Sequence, residues 1–333
     1  MTLTLVVILI VAGGALLVGL AMQSRWHPLR GYARNLLITY VSVVLLLVAG
    51  EFYLRYVYAD SKMEFALTRD NWSNRYIQRN SLGFRDREWT MAELESRTTI
   101  FAVGDSFTEG WGINNPTHRY TDVLAGLLGE DYAIVNLGHS GDSLIHELAN
   151  LENYPYQQPD VILWQYFIND IDVAAKSNGM PWDYEIPPIP AIAQESFLAS
   201  FFYWRVNEAK LFVNVHDGRS EWEFNYAAYD TPYIWDIHTQ EIDRMMTYAE
   251  GVGARLIVVI YPNMLDPVGS VKYVDRVAQY FQEKGQAEVL KLYDEAAAWQ
   301  LGDRIVSTRD SHASVAFNKR VAEMIYAKFF APE

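Results

Sequence analysis

Two long apolar runs open the chain. After them, short apolar runs alternate with amphipathic stretches to the C-terminus. The first long run, residues 3–22, carries no charge. At about 1.5 Å per residue it reaches roughly 30 Å, one bilayer core. A signal peptide fits poorly, because no basic segment precedes this long run. The second, residues 35–58, is apolar through Gly50 and mixed beyond, with Glu51 and Arg55. Phe52, Tyr53, Tyr56 and Tyr58 are placed to anchor its end at the headgroups. Both read as transmembrane helices, so residues 1–58 form a membrane anchor whose lipid partner is the bilayer. The loop at 23–34 holds Arg25, Arg30 and Arg34 and no acid. The positive-inside rule places it in the cytoplasm. The expected location is the inner (cytoplasmic) membrane, multi-pass, with the C-terminal part extracytoplasmic (periplasmic in a Gram-negative cell).

Residues 59–95 read as a polar connector, whose turn at Asn80–Arg85 is expected to pack on the main domain. From residue 96 the pattern is α/β. Strands are expected at Thr99–Val103, Tyr132–Asn136, Val161–Phe167, Arg255–Ile260 and Val289–Tyr293. Helices are expected at Tyr120–Leu128, Leu144–Asn153, Ile234–Gly251, Val271–Lys284 and Ser314–Phe330. In the last, Val321, Met324, Ile325, Ala327 and Phe329 recur at helical spacing, the mark of a core-facing stripe. Strand and amphipathic helix in alternation predict a parallel sheet with crossover helices, a three-layer α/β/α sandwich. Residues 174–232 interrupt the alternation with Pro187-Pro188-Ile189-Pro190 and an aromatic run from Phe197 to Trp204. They read as an insertion over the sheet's carboxyl edge: a lid, a substrate wall, a membrane-docking surface or packing filler.

Composition narrows the function classes. The net charge is −14. Past Tyr58 stand 23 basic and 40 acidic residues, a net of −17. No basic stripe exists to neutralise phosphates, so a nucleic-acid partner is not expected. Cysteine is absent, which excludes disulfides and thiolate chemistry. Neither a Gly-rich phosphate loop nor H-E-x-x-H spacing is present, so neither a cofactor nor a metal is expected.

Chemistry concentrates at the ends of the expected strands. The run ending at Val103 stops at Gly104-Asp105-Ser106, which delivers a serine to the sheet's carboxyl edge, where open α/β folds keep their sites. Gly141 lies in Asn136-Leu137-Gly138-His139-Ser140-Gly141. Asn169 and Asp170 follow the third strand, and Asp310-Ser311-His312 precedes the last helix. A serine after a strand is also an ordinary helix N-cap, so the four blocks count together rather than singly.

In this order the blocks resemble the SGNH (GDSL-type) hydrolase superfamily over roughly residues 96–330. Asn80-Ser81-Leu82-Gly83-Phe84-Arg85-Asp86 is similar to the lead-in of its membrane-anchored bacterial members. The resemblance implies a flavodoxin-like sandwich. It implies Ser106 as nucleophile, His312 as its base, and Asp310 as the acid that orients His312. It also implies an oxyanion hole of the Ser106 and Gly141 N–H groups and the Asn169 side-chain amide. His139 is the rival base; His118, His146, His216 and His238 have no supporting context. Asp105 and Asp170 are read as structural, Asp170 capping the turn after it.

Three positions depart from the family pattern. The acid commonly stands three residues before the histidine, where Arg309 is; Asp310 sits at two, as in alginate-type O-acetyltransferases. Ala313 replaces the usual proline. Phe167 replaces a common glycine and is expected to narrow the site toward small acyl groups.

The expected function is a membrane-anchored serine esterase that deacylates O-acylated envelope glycans or lipids through an acyl-serine. Transfer of the acyl group to a sugar hydroxyl is the alternative on the same residues. A different class is also open: a non-catalytic accessory subunit of a larger membrane protein complex.

Overall fold

The computed structural model describes residues 2–23, 27–208 and 211–332. They fall into two compact units, residues 1–75 with 185–211, and residues 76–184 with 212–333. The middle of the expected insertion thus groups with the N-terminal helices, and the rest with the α/β sheet.

The first unit opens with a helical hairpin, Leu3–Gln23 and His27–Phe52, continued by a π turn at Tyr53–Val57. The Tyr40 hydroxyl donates to the Ile10 carbonyl, and Arg30 Nε donates to the Ala21 carbonyl at 3.0 Å. These two contacts fix an antiparallel pairing. The second helix begins at His27 rather than Asn35, which corrects the expected loop. Pro28 falls in the first turn, where a missing N–H costs no helical hydrogen bond, and Arg30 satisfies an orphan carbonyl at the end of the first helix. Residues 24–26, with Arg25, lie outside the described residues. Leu3–Met22 and Arg30–Val57 are each long and apolar enough to cross a membrane.

Residues 185–211 meet the end of the hairpin at an acidic side chain, among other contacts. The Glu51 carboxylate accepts from Ser196 Oγ at 2.7 Å, Phe197 N at 3.1 Å and Leu198 N at 2.9 Å. It therefore caps the N-terminus of the helix Phe197–Asn207, where orphan N–H groups and the helix dipole favour an anion. Arg55 pairs with Glu51 at 2.7 Å and donates to the Glu195 carbonyl at 2.8 Å.

The second unit is built on a five-stranded parallel sheet: β1 Thr98–Val103, β2 Tyr132–Asn136, β3 Val161–Phe167, β4 Arg255–Tyr261 and β5 Glu288–Lys291. The spatial order is β2-β1-β3-β4-β5, the flavodoxin-like order. Every residue of β3 is buried, as expected of a central strand covered on both faces. On one face the helices Tyr120–Leu128 and Val315–Phe329 pack together, with Asn318 Oδ1 accepting from Tyr120 N at 3.0 Å. On the other lie Leu144–Glu152, Pro232–Val252 and Pro267–Lys284. Trp164 of β3 bonds Glu147 of the first and packs on Phe281 of the third.

Two features were not expected. The fifth strand ends at Lys291, and Tyr293–Ala298 is helix. An antiparallel hairpin, β6 Ile305–Ser307 and β7 Asp310–Ala313, precedes the last helix. The Asn80–Arg85 turn packs on this unit. Arg85 is buried and donates to the Gly110 carbonyl at 2.6 Å and the Ile113 carbonyl at 2.7 Å.

Candidate active site

Ser106 opens a one-turn helix, Ser106–Glu109, at the carboxyl end of β1. Asp105 is its N-cap and accepts from Phe107 N at 2.9 Å, which fulfils the structural role expected of it. Thr108, where a G-x-S-x-G elbow would have its second glycine, is buried. Its hydroxyl donates to Gln165 Oε1 of β3 at 2.8 Å and lies 2.9 Å from the Tyr120 hydroxyl. The same Gln165 oxygen accepts from Asp105 N at 3.2 Å. Gln165 therefore ties the serine turn to the central strand.

The serine meets its partners across the sheet edge. Ser106 Oγ lies 2.7 Å from His312 Nε2, and His312 Nδ1 lies 2.6 Å from Asp310 Oδ1. The Asp310 side chain is 1% exposed and that of His312 is 23% exposed. The acid is buried, while the imidazole is partly exposed. The imidazole packs on the Phe107 ring at 5.0 Å and the Trp111 ring at 6.4 Å. Asp310 and His312 both lie on β7, where residues two apart point to the same face. The Asp-x-His spacing works because this segment is a strand, and the turn at 308–309 takes Arg309 out of the acid's place.

The three expected oxyanion donors share one feature. Among the described residues, neither the Ser106 N–H, the Gly141 N–H nor the Asn169 side chain has a hydrogen-bond partner. Asn169 Oδ1 is buried without one. Gly141 has φ +86°, a left-handed conformation that suits glycine. Its loop sits on the serine turn: His139 N donates to the Gly104 carbonyl at 3.2 Å and Ser140 N to Glu109 Oε2 at 3.1 Å. A Cβ at Gly138 would lie 2.3 Å from Glu109 N, so this contact requires glycine.

The rival histidines are engaged elsewhere. His139 Nδ1 lies 3.0 Å from Asp142, and buried His238 lies between the Tyr166 hydroxyl and Glu241. Asp170 accepts from Phe167 N at 2.9 Å. It closes the turn back onto β3, which corrects the forward cap read from the sequence.

Sequence reasoning missed two parts of the site. Trp222, on the helix Glu221–Asp230 from the expected insertion, packs against Phe167 at 5.6 Å. Phe167 packs on Phe107 at 4.7 Å, so Trp222, Phe167 and Phe107 form a continuous aromatic wall leading to His312. No local signal distinguishes Trp222 from the other aromatics around it. The second is a buried acidic group beneath the turn. Burial pushes Asp105 up to about 6, against the pull of the Phe107 N–H and His312. Burial, then neighbouring carboxylates, also raise Glu147 and Asp170 well above the carboxylate range. Trp164 Nε1 donates to Glu147 at 2.8 Å. Among the described residues, no group of three or more His, Asp or Glu is arranged to hold a metal ion.

No family model and no curated protein matches this chain. Among solved structures it is similar to a G-D-S-L family lipolytic protein from Veillonella parvula, with 15% identity and a TM-score of 0.42. That match covers 70% of this chain and 97% of the other. A G-D-S-L family protein from Desulfitobacterium hafniense matches at 16% identity and TM-score 0.41, covering 68% of this chain and 97% of its own. An acetylxylan esterase from Geobacillus stearothermophilus matches at 14% identity and TM-score 0.44, covering 71% and 96%. These are distant likenesses, each with a TM-score below 0.5.

Proposed function

We propose that the chain is a membrane-anchored serine esterase that acts on O-acylated envelope glycans or lipids. The observation that carries this reading is the Ser106–His312–Asp310 relay, with contacts of 2.7 and 2.6 Å. A serine hydroxyl is a weak nucleophile until a base takes its proton. His312 Nε2 is at hydrogen-bond distance to do so, and Asp310 fixes the tautomer and stabilises the imidazolium that forms. Ser106 Oγ then bonds to the ester carbonyl carbon. The oxyanion that forms draws on the N–H groups of Ser106 and Gly141 and on the Asn169 amide, which have no competing partner. The C–O bond to the alcohol breaks as His312 returns the proton to the leaving oxygen. Water, deprotonated by His312, attacks the acyl-Ser106 and releases the acid. A sugar hydroxyl in place of water turns the same intermediate into acyl transfer.

The aromatic wall of Phe107, Phe167 and Trp222 supports a short acyl group, acetyl before longer chains. An aligned relay favours chemistry over the accessory-subunit reading, which needs no such alignment. The two apolar helices support membrane anchoring, and Arg30 and Arg34 support a cytoplasmic hairpin turn with the α/β unit outside. Hydrolysis of a short-chain aryl acetate by the full chain in detergent tests the reading. Turnover lost in both Ser106→Ala and His312→Ala is expected; equal turnover in the variants would overturn it.

A further inference from the structure

We infer that the helix Phe197–Asn207 is an interfacial helix, lying in the bilayer surface with its Leu198–Phe202–Val206 face set among the lipids. The inference rests on the reading of the hairpin as membrane-spanning. The helix belongs to the open end of that hairpin. Leu3 N donates to Glu195 Oε2 at 2.8 Å, and a Cβ at Gly50 would lie 3.3 Å from Leu198 Cδ1. Leu3 begins the first apolar span, and Gly50 ends the uncharged part of the second. Residues 195–198 therefore stand at the depth where hydrocarbon gives way to headgroups.

From that depth the helix presents two different faces. One is buried in protein: Ser200 Oγ accepts from Leu67 N at 3.2 Å, and Trp204 packs on Phe65 at 5.2 Å. The other carries Phe202 and Val206, 61% and 72% exposed and one turn apart, with Leu198 a further turn back. Eleven residues reach about 16 Å, too short to cross a bilayer but ample to lie in its surface. Phe52 and Tyr56, also exposed, extend the apolar rim from the neighbouring helix end. Helices of this kind bury their apolar face into the headgroup–acyl boundary.

The chain has no cysteine, so single labels can be placed without a background. Phe202→Cys, Val206→Cys, Leu46→Cys and Lys319→Cys would each carry a bimane label in the full chain reconstituted into phosphatidylcholine vesicles. Lipids brominated near the headgroup or deep in the chain, and aqueous iodide, serve as quenchers. The expected result is at least twofold quenching at 202 and 206 by shallow bromines, with iodide quenching several-fold below that at 319. Iodide quenching at 202 and 206 equal to that at 319 would overturn the inference, provided 46 is quenched by deep bromines. Shielding of 202 and 206 from both iodide and bromine would also overturn it, since protein would then cover the face. Lack of deep quenching at 46 would instead remove the membrane-span reading, and the inference with it.

Discussion

Asp310 and His312 stand two residues apart on one short strand, and the carboxylate Oδ1 meets the imidazole Nδ1 at 2.6 Å. The same oxygen accepts from His312 N at 3.2 Å. A single buried oxygen thus fixes both the backbone and the ring of the base. Exchange of Asp310→Asn keeps the shape but permits the wrong tautomer. The expected effect is a fall in kcat of roughly 10³ to 10⁴, with KM little changed. Steady-state hydrolysis of an aryl acetate checks this, and a loss confined to KM would contradict the assigned role.

The Asn169 side chain makes no hydrogen bond among the described residues, so its removal frees no protein partner. Asn169→Ala should lower kcat by about 10² to 10³ and leave the folded state intact. An unchanged kcat at normal thermal stability would remove Asn169 from the oxyanion hole.

The buried carboxyl groups predict an unusual dependence of stability on pH. An unfolded aspartate releases its proton near ~3.9, whereas folded Asp105 holds its proton to about 6. Between those values the folded state binds more protons, so stability falls as pH rises. Glu147 and Asp170 are raised as well, by burial and neighbouring carboxylates, and act in the same direction. The melting temperature should be higher at pH 5 than at pH 8. Glu147→Gln, which still accepts from Trp164, should flatten the difference. A melting temperature that rises from pH 5 to pH 8 in the parent chain would count against protonated buried acids.

Arg85 holds the loop after the serine through two donors to the carbonyls of Gly110 and Ile113. Lysine cannot reproduce that fork. Arg85→Lys should leave a buried carbonyl unsatisfied and cost about 1–3 kcal/mol, read as a lowered melting temperature. An unchanged melting temperature would show that the loop is held by other contacts.

Much of this architecture was legible in the chain, for identifiable reasons. β1 and β4 are nearly continuous apolar runs and β3 is broken only by Gln165, the pattern of parallel strands buried on both faces. Ser106 and Asn169 each follow such a run, so topology places them at one edge; His312 was legible from its place before the last amphipathic helix. The β6–β7 hairpin was not legible, because Asp310-Ser311-His312 has neither alternation nor β-branched residues; its strand character comes from pairing with Ile305–Ser307. The grouping of residues 185–211 with the hairpin was hidden for another reason. It depends on Glu51 meeting Ser196, residues 145 positions apart, and no local pattern reports so distant a contact. Nothing in the sequence marks Glu147 of the helix Leu144–Glu152 as buried, yet its partner is Trp164 in the centre of the sheet.

The most direct test of the account is covalent. A fluorophosphonate phosphonylates a serine, with loss of fluoride, only where a neighbouring base activates it, whatever the natural substrate. With the full chain in detergent, the account predicts one adduct, mapped by peptide mass spectrometry to Ser106. It predicts none in Ser106→Ala and labelling slowed by at least 10³ in His312→Ala. A folded parent chain that leaves Ser106 unlabelled, or that is labelled on another serine, would contradict it.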